Sequence, residues 1–358
     1  MDTVTDKPGV VDHDKLQQFV GRMINDLGAV VIMPLVRIGD ELGLYKALAA
    51  ARMTPADLAR QTGTAERYVR EWLSAHAAAG YVEYDRVSGA FWITPEQAMV
   101  FADPDSPVCL LGAFEIAYAG AVDMPKIAEA FRTGRGVGWH DHHHCLFSGT
   151  ERFFRPGYNA NLVENWLPAL DGVMAKLERG AKVADVGCGH GVTTVLMAKA
   201  FPRSSFVGFD IHDASIAWAR EAAGREKIGN LSFEVAAASR FAGTDYDLVT
   251  MFDCLHDMGD PVGAAAHARQ SLRPGGTLML VEPFANDRLE DNLNPVGRLY
   301  YAASTMFCTP GALSQEVGLA LGAQAGEARL TEILKSAGFG RVKRAAETPF
   351  NIVLEASA

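Results

Sequence analysis

Between residues 14 and 50, apolar side chains recur every three or four positions. Leu16, Phe19, Val20, Met23, Ile24 and Leu27 form one stripe, which predicts an amphipathic helix. Pro34 lies in the apolar run Leu27–Val36 and predicts a kink or a restart. The stripe suits packing against a second subunit or against its own domain. From Met53 to Pro95 the pattern shortens. Thr54 before Pro55 predicts a capped helix over 56–61 that ends at Thr62-Gly63. Thr64 predicts the cap of a second helix, with Tyr68, Trp72 and Leu73 as packing residues and Gly80 as its stop. Two β-rich runs, 81–84 and 90–93, flank a turn at Ser88-Gly89. Helix, tight turn, helix and hairpin make the layout of a winged helix.

The run Asp103-Pro104-Asp105-Ser106-Pro107 reads as a boundary. Helical stretches follow, and from Ala181 short apolar strands alternate with helices. Strands are predicted over 182–186, 205–210, 231–235, 246–252 and 277–281, with helices over 214–223, 262–272 and 329–337. Repeated βα units of this kind predict an α/β fold, a Rossmann-like doubly wound sheet with helices on both faces. The runs 341–346 and 351–354, split by the Pro349 turn, predict an antiparallel pair at the sheet edge. Three segments result: 1–103, N-terminal helices and winged helix; 104–154, a helical bridge and active-site cover; and 155–358, the α/β domain.

Composition narrows the function. Of 358 residues, 49% are hydrophobic and 21% charged, enough for a sizeable core. The formal net charge of −10 disfavours a broad basic surface for nucleic acid or anionic membrane. The acidity reaches the winged helix itself: residues 37–103 carry seven basic and nine acidic side chains, whereas a DNA reader needs a basic face. Five widely spaced cysteines without a C-x-x-C fit a reducing cytoplasm. The N-terminus lacks the basic start of a signal peptide. The run Leu27–Val36 is shorter than the ~20 residues that span a bilayer. The expectation is a cytoplasmic protein that does not engage membranes.

The candidate chemistry centres on Asp185-Val186-Gly187-Cys188-Gly189-His190-Gly191, where a strand must turn into a helix. Glycines there permit positive φ and close approach of a ligand. Val192 stands where a G-x-G-x-x-G loop needs its third glycine. Asp185 just before the loop would repel a pyrophosphate and suits a cationic ligand. Asp210, ending the next strand, lies where a ribose diol would sit.

This segment resembles the first two motifs of class I S-adenosylmethionine (SAM)-dependent methyltransferases. The likeness continues through Asp247-Leu248-Val249, Leu255-His256-Asp257, Leu272-Arg273-Pro274-Gly275-Gly276 and Ala337-Gly338-Phe339. It implies that SAM is the cofactor, with no metal. Asp185, Gly187, Gly189 and Gly191 would hold its methionine end, and Asp210 its ribose. Cys188, Ile211, Ala237, Phe252 and Asp253 complete the implied set. Ala236-Ala237-Ala238 departs from the family's Gly-Asp-Ala, so the adenine contact would fall to backbone or Ser239.

The string Cys254-Leu255-His256-Asp257-Met258-Gly259-Asp260 resembles that of small-molecule O-methyltransferases with an N-terminal winged-helix dimerisation domain. The likeness implies a histidine general base, His256, braced by Glu282 and Glu327. Met258 replaces the family's tryptophan. The whole chain resembles actinobacterial two-domain methyltransferases of undefined substrate. The implied protein is a homodimer acting on a small-molecule acceptor, hydroxyl-bearing and hydrophobic or aromatic. The insertion 284–325, with Arg298, Tyr300, Tyr301, Met306, Phe307 and Cys308, either lines the acceptor pocket or packs as helix core. The cluster His140-Asp141-His142-His143-His144-Cys145 lacks metal-ligand spacing. Either it covers the active site, with His142 or His143 touching the acceptor, or it is a solvated loop. A SAM-responsive winged-helix transcriptional regulator is the alternative reading, as is SAM binding without transfer.

Overall fold

The structure, a computed structural model, describes residues 11–357. The chain divides into two compact units, one ending at Phe114 and the other beginning at Glu115. The boundary lies inside a helix, so the span 104–154 is shared between the units.

The first unit begins with α1, His13–Glu41, capped by Asp12, whose carboxylate accepts from the amides of Asp14 (3.0 Å) and Lys15 (3.2 Å). Of the kink or restart expected at Pro34, the restart does not occur: α1 continues through it as one helix. The expectation about length also fails. Apolar residues upstream extend the run, and α1 is long and apolar enough to cross a membrane, with 11% of its most apolar window buried. Ile32, Val36 and Gly39 are buried, whereas Phe19, Ile24, Leu27 and Val31 stand in solvent, the last at 71% exposure.

Next come α2 (Leu44–Ala50), α3 (Pro55–Thr62), α4 (Glu66–Ala78), β1 (Glu83–Asp85), β2 (Ala90–Trp92) and α5 (Pro95–Phe101); α6 (Leu111–Thr133) starts here but lies mostly in the second unit. Thr54 caps α3, and Gly63 ends it at φ +66°. Thr64 does not cap α4. Its hydroxyl pairs with that of Thr62 at 2.9 Å, and Ala65 takes the cap position. β1 and β2 pair antiparallel as the wing. Trp72 and Leu73 are buried, but Tyr68 is exposed rather than packed. The core holds one polar knot: His76 Nδ1–H donates to Trp72 O at 2.8 Å, and Tyr45 donates to Nε2 at 2.7 Å. Burial pushes this imidazole down to about 4.

The second unit holds α7 (Cys145–Asn161), α8 (Val173–Arg179), β3 (Lys182–Val186), α9 (Val192–Ala200), β4 (Ser205–Asp210), α10 (Asp213–Glu226), β5 (Leu231–Val235), β6 (Tyr246–Phe252), α11 (Pro261–Ser271) and β7 (Leu272–Pro283). Then follow α12 (Pro295–Ala303), α13 (Thr309–Leu313), α14 (Gly326–Ser336), β8 (Arg341–Glu347) and β9 (Asn351–Ser357). The sheet order is β5-β4-β3-β6-β7-β9-β8. β3 to β7 run parallel, and β9 lies antiparallel between β7 and β8. The C-terminal pair expected at the edge is therefore present.

Strand residues alternate between two cores, as side chains on a pleated strand must. Val249, Met251, Leu278 and Leu280 face α11 and α14 through Ala264, Ala268, Leu330 and Ile333. Leu248, Phe252, Met279 and Val281 face the other layer, with Trp166, Leu177 and Met197. Each such fully buried aliphatic side chain contributes about 1.5–3 kcal/mol. With both faces covered, the crevice at the carboxyl ends of β3 and β6, where strand order reverses, is the ligand position this topology offers.

Candidate active site

The loop after β3 is held to β4 by its backbone. The amides of Gly187 and Cys188 both donate to Phe209 O, at 2.7 and 3.0 Å. Gly187 and Gly191 are required by space as well as by their φ of +74° and +79°. A Cβ on Gly187 would lie 2.6 Å from Cys254 Sγ, and one on Gly191 would lie 2.5 Å from the Phe233 ring. At Gly189, with φ +53°, a Cβ would meet nothing within 4 Å, so this backbone is open to an approaching molecule. Asp210 accepts from the amides of Gly189 and His212, each at 2.8 Å. Burial pushes its carboxyl up, against those two hydrogen bonds. Ile211 beside it is exposed, Ala237 is half-buried, and Cys188 packs inward with Ile216 and Phe233.

Asp185 is 1% exposed and accepts from three hydroxyls: Thr193 (2.7 Å), Thr194 (2.6 Å) and Thr250 (2.9 Å). It ties β3 to β6 and to the first turn of α9, so it shapes the loop from beneath. Phe252 is buried against Tyr158. Asp253, in the left-handed region at φ +48°, accepts from Tyr158 (2.6 Å) and Asn351 (2.8 Å). Burial pushes its carboxyl up to about 8.

His256 follows β6 and is 4% exposed. Its Nδ1 bonds the carboxylate of Glu282, which ends β7 and also accepts from Leu255 N at 2.8 Å. Glu282 therefore braces the ring. Glu327 does not: in the first turn of α14 its carboxylate bonds Arg344 of β8, at 2.8 Å from Nε. The second carboxylate beside His256 is Asp257, with Oδ1 3.2 Å from Nε2 but outside hydrogen-bond geometry. Burial alone would lower the pKa of this imidazole. The carboxylates of Asp257 and Glu282 outweigh it and hold the pKa well above the usual range. The motif string contained Asp257, but neighbours in sequence give no signal of facing.

The histidine cluster is not a solvated loop throughout. His140 and His144 are exposed, but His142 is 5% exposed. Its Nδ1 lies 3.0 Å from Asp123 Oδ2, on α6, and that oxygen also accepts from the amide of His143 at 2.8 Å. Lys126 Nζ holds the other carboxylate oxygen at 2.8 Å. Burial raises the Asp123 carboxyl, but Lys126 and the two histidine donors outweigh it and the net shift is downward. His142 Nε2 is buried without a hydrogen-bond partner among the described residues.

The segment around it reaches over the carboxyl ends of β3 and β4. The rings of His140 and Phe147 lie 4.8 and 4.6 Å from that of His212, and Glu151 of α7 bonds His190 of the glycine loop at 2.8 Å. The insertion closes in from the other side. Phe307 meets the His142 ring edge-on at 5.4 Å, and Cys308 lies against His256 and Asp257. Tyr300, by contrast, packs as core, donating to Phe350 O at 2.9 Å. Sequence reasoning missed Asp123 and Glu151, since a lone acid within a helix carries no motif. Among the described residues, two sets of three donor atoms lie within 4.8 Å of one another: His143–His144–Cys145 and His256–Asp257–Cys308. On α4 of the first unit, Arg67 and Arg70 are paired with Glu71 and Glu66, which leaves that face poorly suited to phosphates.

Comparison with known proteins bears on the fold and the domains. A family model described as a methyltransferase domain matches residues 177–338, and one described as an Rv2258c-like winged HTH domain matches 28–102. A ubiquinone biosynthesis O-methyltransferase of Acinetobacter baumannii is 28% identical over 159 residues, 43% of this chain and 60% of that protein. Among solved structures, human N-acetylserotonin methyltransferase in complex with SAM aligns with a TM-score of 0.68. The identity is 17%, with 100% of this chain and 99% of that one covered. An O-methyltransferase from neocarzinostatin biosynthesis, in complex with S-adenosylhomocysteine and 1,4-dihydroxy-2-naphthoic acid, aligns with a TM-score of 0.60. Its identity is 18%, over 94% of this chain and 98% of that one. At these identities the structural likeness establishes the fold.

Proposed function

We propose that this chain, a class I methyltransferase domain preceded by a winged-helix domain, transfers the methyl group of SAM to the hydroxyl of a small hydrophobic or aromatic molecule. One observation carries the reading. The unshielded backbone at Gly189 and the carboxylate of Asp210 are joined by a hydrogen bond of 2.8 Å at the strand-order reversal. The loop would take the methionine end of SAM, and Asp210, with oxygens still able to accept, would take the ribose diol. Ile211 and Ala237 would flank the base. SAM when bound supplies a methyl group on a sulfonium, ready for in-line displacement. The protein must align the acceptor oxygen with that bond and remove its proton.

Trp139, Phe147 and Phe307 pack together in one apolar cluster of the cover, and an aromatic-rich cover would suit a flat apolar acceptor. The neocarzinostatin enzyme, with its naphthoic acid, supports the same class. A histidine takes the proton in this reading, and His256, braced by Glu282, is the one the motif names. Five thiols without disulfides among the described residues fit a reducing cytoplasm. The exposed apolar face of α1 fits a homodimer, which light scattering of the intact chain would test.

Calorimetry with S-adenosylhomocysteine tests the core of the proposal. Binding that is lost in Asp210→Ala is expected, and no binding by the wild type would sink it. The regulator reading lacks a basic face on the winged helix, and a gel shift that persists at physiological salt would restore it.

A further inference from the structure

We propose that the imidazole of His256, the carboxylate of Asp257 and the thiol of Cys308 form a site for a thiophilic divalent cation of the Zn²⁺ kind, which switches off methyl transfer by occupying the nitrogen that takes the acceptor's proton. The effect rests on the methyl-transfer reading above; the site rests on geometry. Three observations carry it. The first is convergence. One donor atom from each side chain lies within 4.8 Å of the other two, although Cys308 comes from the insertion and the other two follow β6. His256 Nε2 and Asp257 Oδ1 are 3.2 Å apart. Two donors on a tetrahedral Zn²⁺ stand roughly 3.3–3.5 Å from each other, so this pair is already near the spacing. The second is an unmet acceptor. Asp257 Oδ1 is buried with no hydrogen-bond partner among the described residues. A buried oxygen left unpaired is costly, and a cation between it and Nε2 removes that cost. The third is the setting of the ring. Glu282 holds Nδ1 of His256 and also accepts from the Leu255 amide at 2.8 Å. An ionised carboxylate only accepts, so Nδ1 keeps its proton and Nε2 is the nitrogen that can ligate. A carboxylate behind the far nitrogen is the outer partner that a metal-binding histidine uses to fix its ring.

The donor set selects the ion. One nitrogen, one oxygen and one sulfur suit Zn²⁺ and its borderline neighbours, whereas Mg²⁺ and Ca²⁺ prefer oxygen ligands. Three protein ligands leave a fourth position to water. Asp257 keeps 28% of its side chain in solvent and gives the ion a way in, while His256 and Cys308 are buried. The other donor cluster, His143–His144–Cys145, is the poorer site. His144 is exposed, and His143 Nδ1 already accepts from the Cys145 amide at 3.3 Å.

The exchange balances. The ion forms bonds to Nε2, Oδ1 and Sγ, and the thiol proton and any proton on Nε2 leave to water. Burial pushes the Cys308 thiol up to about 12, so it stays protonated until an ion arrives, and a coordinated cation draws that proton off. No electron is transferred, and no other reactant is needed. The braced histidine remains the proton acceptor of the reaction; with the ion in place it has no lone pair left for the acceptor hydroxyl.

The test uses the intact chain and the metals alone. Co²⁺ should give a sulfur-to-cobalt charge-transfer band that Zn²⁺ abolishes. The band should vanish in Cys308→Ser and persist in Cys145→Ser, with S-adenosylhomocysteine affinity as the control for folding. No band in the wild type, or a band lost in Cys145→Ser and kept in Cys308→Ser, overturns the site. By calorimetry, Asp257→Asn should weaken Zn²⁺ by at least about tenfold; an unchanged affinity also overturns it. With labelled SAM and 1-naphthol as probe, saturating Zn²⁺ should lower kcat by about 100-fold, a chelator should restore it, and Mg²⁺ should have no effect. Zn²⁺ that binds but leaves kcat unchanged, or raises it, overturns the inhibition. Zn²⁺ binding without S-adenosylhomocysteine binding keeps the site and sinks the methyl-transfer reading; S-adenosylhomocysteine binding without the Co²⁺ band does the reverse.

Discussion

Two histidine–carboxylate pairs stand in the second unit, and their difference lies at the far nitrogen. His256 rests on Glu282 at the strand ends, and His142 rests on Asp123 between α6 and the cover. Both rings are buried, and both set Nδ1 against a carboxylate. At Nε2 they part: His256 meets a second carboxylate, and His142 meets none. The carboxylates differ too. Asp123 shares its charge with the half-exposed ammonium of Lys126, whereas Glu282 has only an amide besides its imidazole. One arrangement stores a cation and the other leaves a lone pair. The pairing motif alone therefore does not set a ring's charge; the occupant of the second nitrogen does.

The largest effect should come from deleting the carboxylates. Glu282→Ala removes the carboxylate hydrogen-bonded to the buried His256 ring and leaves the Leu255 amide unpaired. A loss of about 3–5 kcal/mol in unfolding free energy is expected. Asp123→Ala frees Lys126 to water and leaves the His143 amide and the His142 ring without their carboxylate partner, so the loss should be nearer ~1–3 kcal/mol. Denaturant melts of both variants measure this. Equal losses would erase the distinction in charge between the pairs.

The next effect is a slope. The folded-state pKa of His256 is raised above its ordinary 6.5 by Asp257 and Glu282, in spite of burial. The folded chain then binds more protons than the unfolded chain at intermediate pH. The stabilisation is complete below about 6.5 and is lost as pH rises toward the folded value. His256→Gln should flatten that part of the pH–stability curve, and His142→Gln should leave it in place. Asp257→Asn should lower the His256 pKa, read by nitrogen-15 shifts. A slope that survives His256→Gln would mean that this ring is not the stored cation.

The contrast also explains what could be read from the chain. The sheet was legible because its strands are short apolar runs bounded by turns, and both cores follow from alternation along them. The glycine loop was legible because Gly187 and Gly191 are fixed by backbone and by close neighbours, which only glycine satisfies. His256 and Glu282 were legible because a motif carried them. Asp185 was found, but its partners Thr193, Thr194 and Thr250 were not, since all three meet it only through packing of the fold. Pro34 was expected to break α1, but a missing amide donor costs a long helix only one bond. Asp123 could not be seen, since α6 lies far in sequence from His142 and the pairing is purely tertiary.

The smallest effect separates resemblance from geometry. Motif likeness assigns Glu327 to the brace of His256, whereas in the structure its carboxylate is taken by Arg344 near the surface. Both side chains are about one-third exposed, and such a pair contributes about 0.2–1 kcal/mol. Glu327→Ala should therefore shift the melting temperature little, leave the His256 titration unchanged and leave kcat on 1-naphthol close to that of the wild type. The alternative is distinct. If Glu327 swings onto His256 once cofactor is bound, its removal would lower the His256 pKa in the S-adenosylhomocysteine complex but not in the free protein. Arg344→Ala would then mimic the bound state by releasing Glu327. Measuring His256 in both variants, with and without S-adenosylhomocysteine, decides whether a third carboxylate joins the strand-end pair.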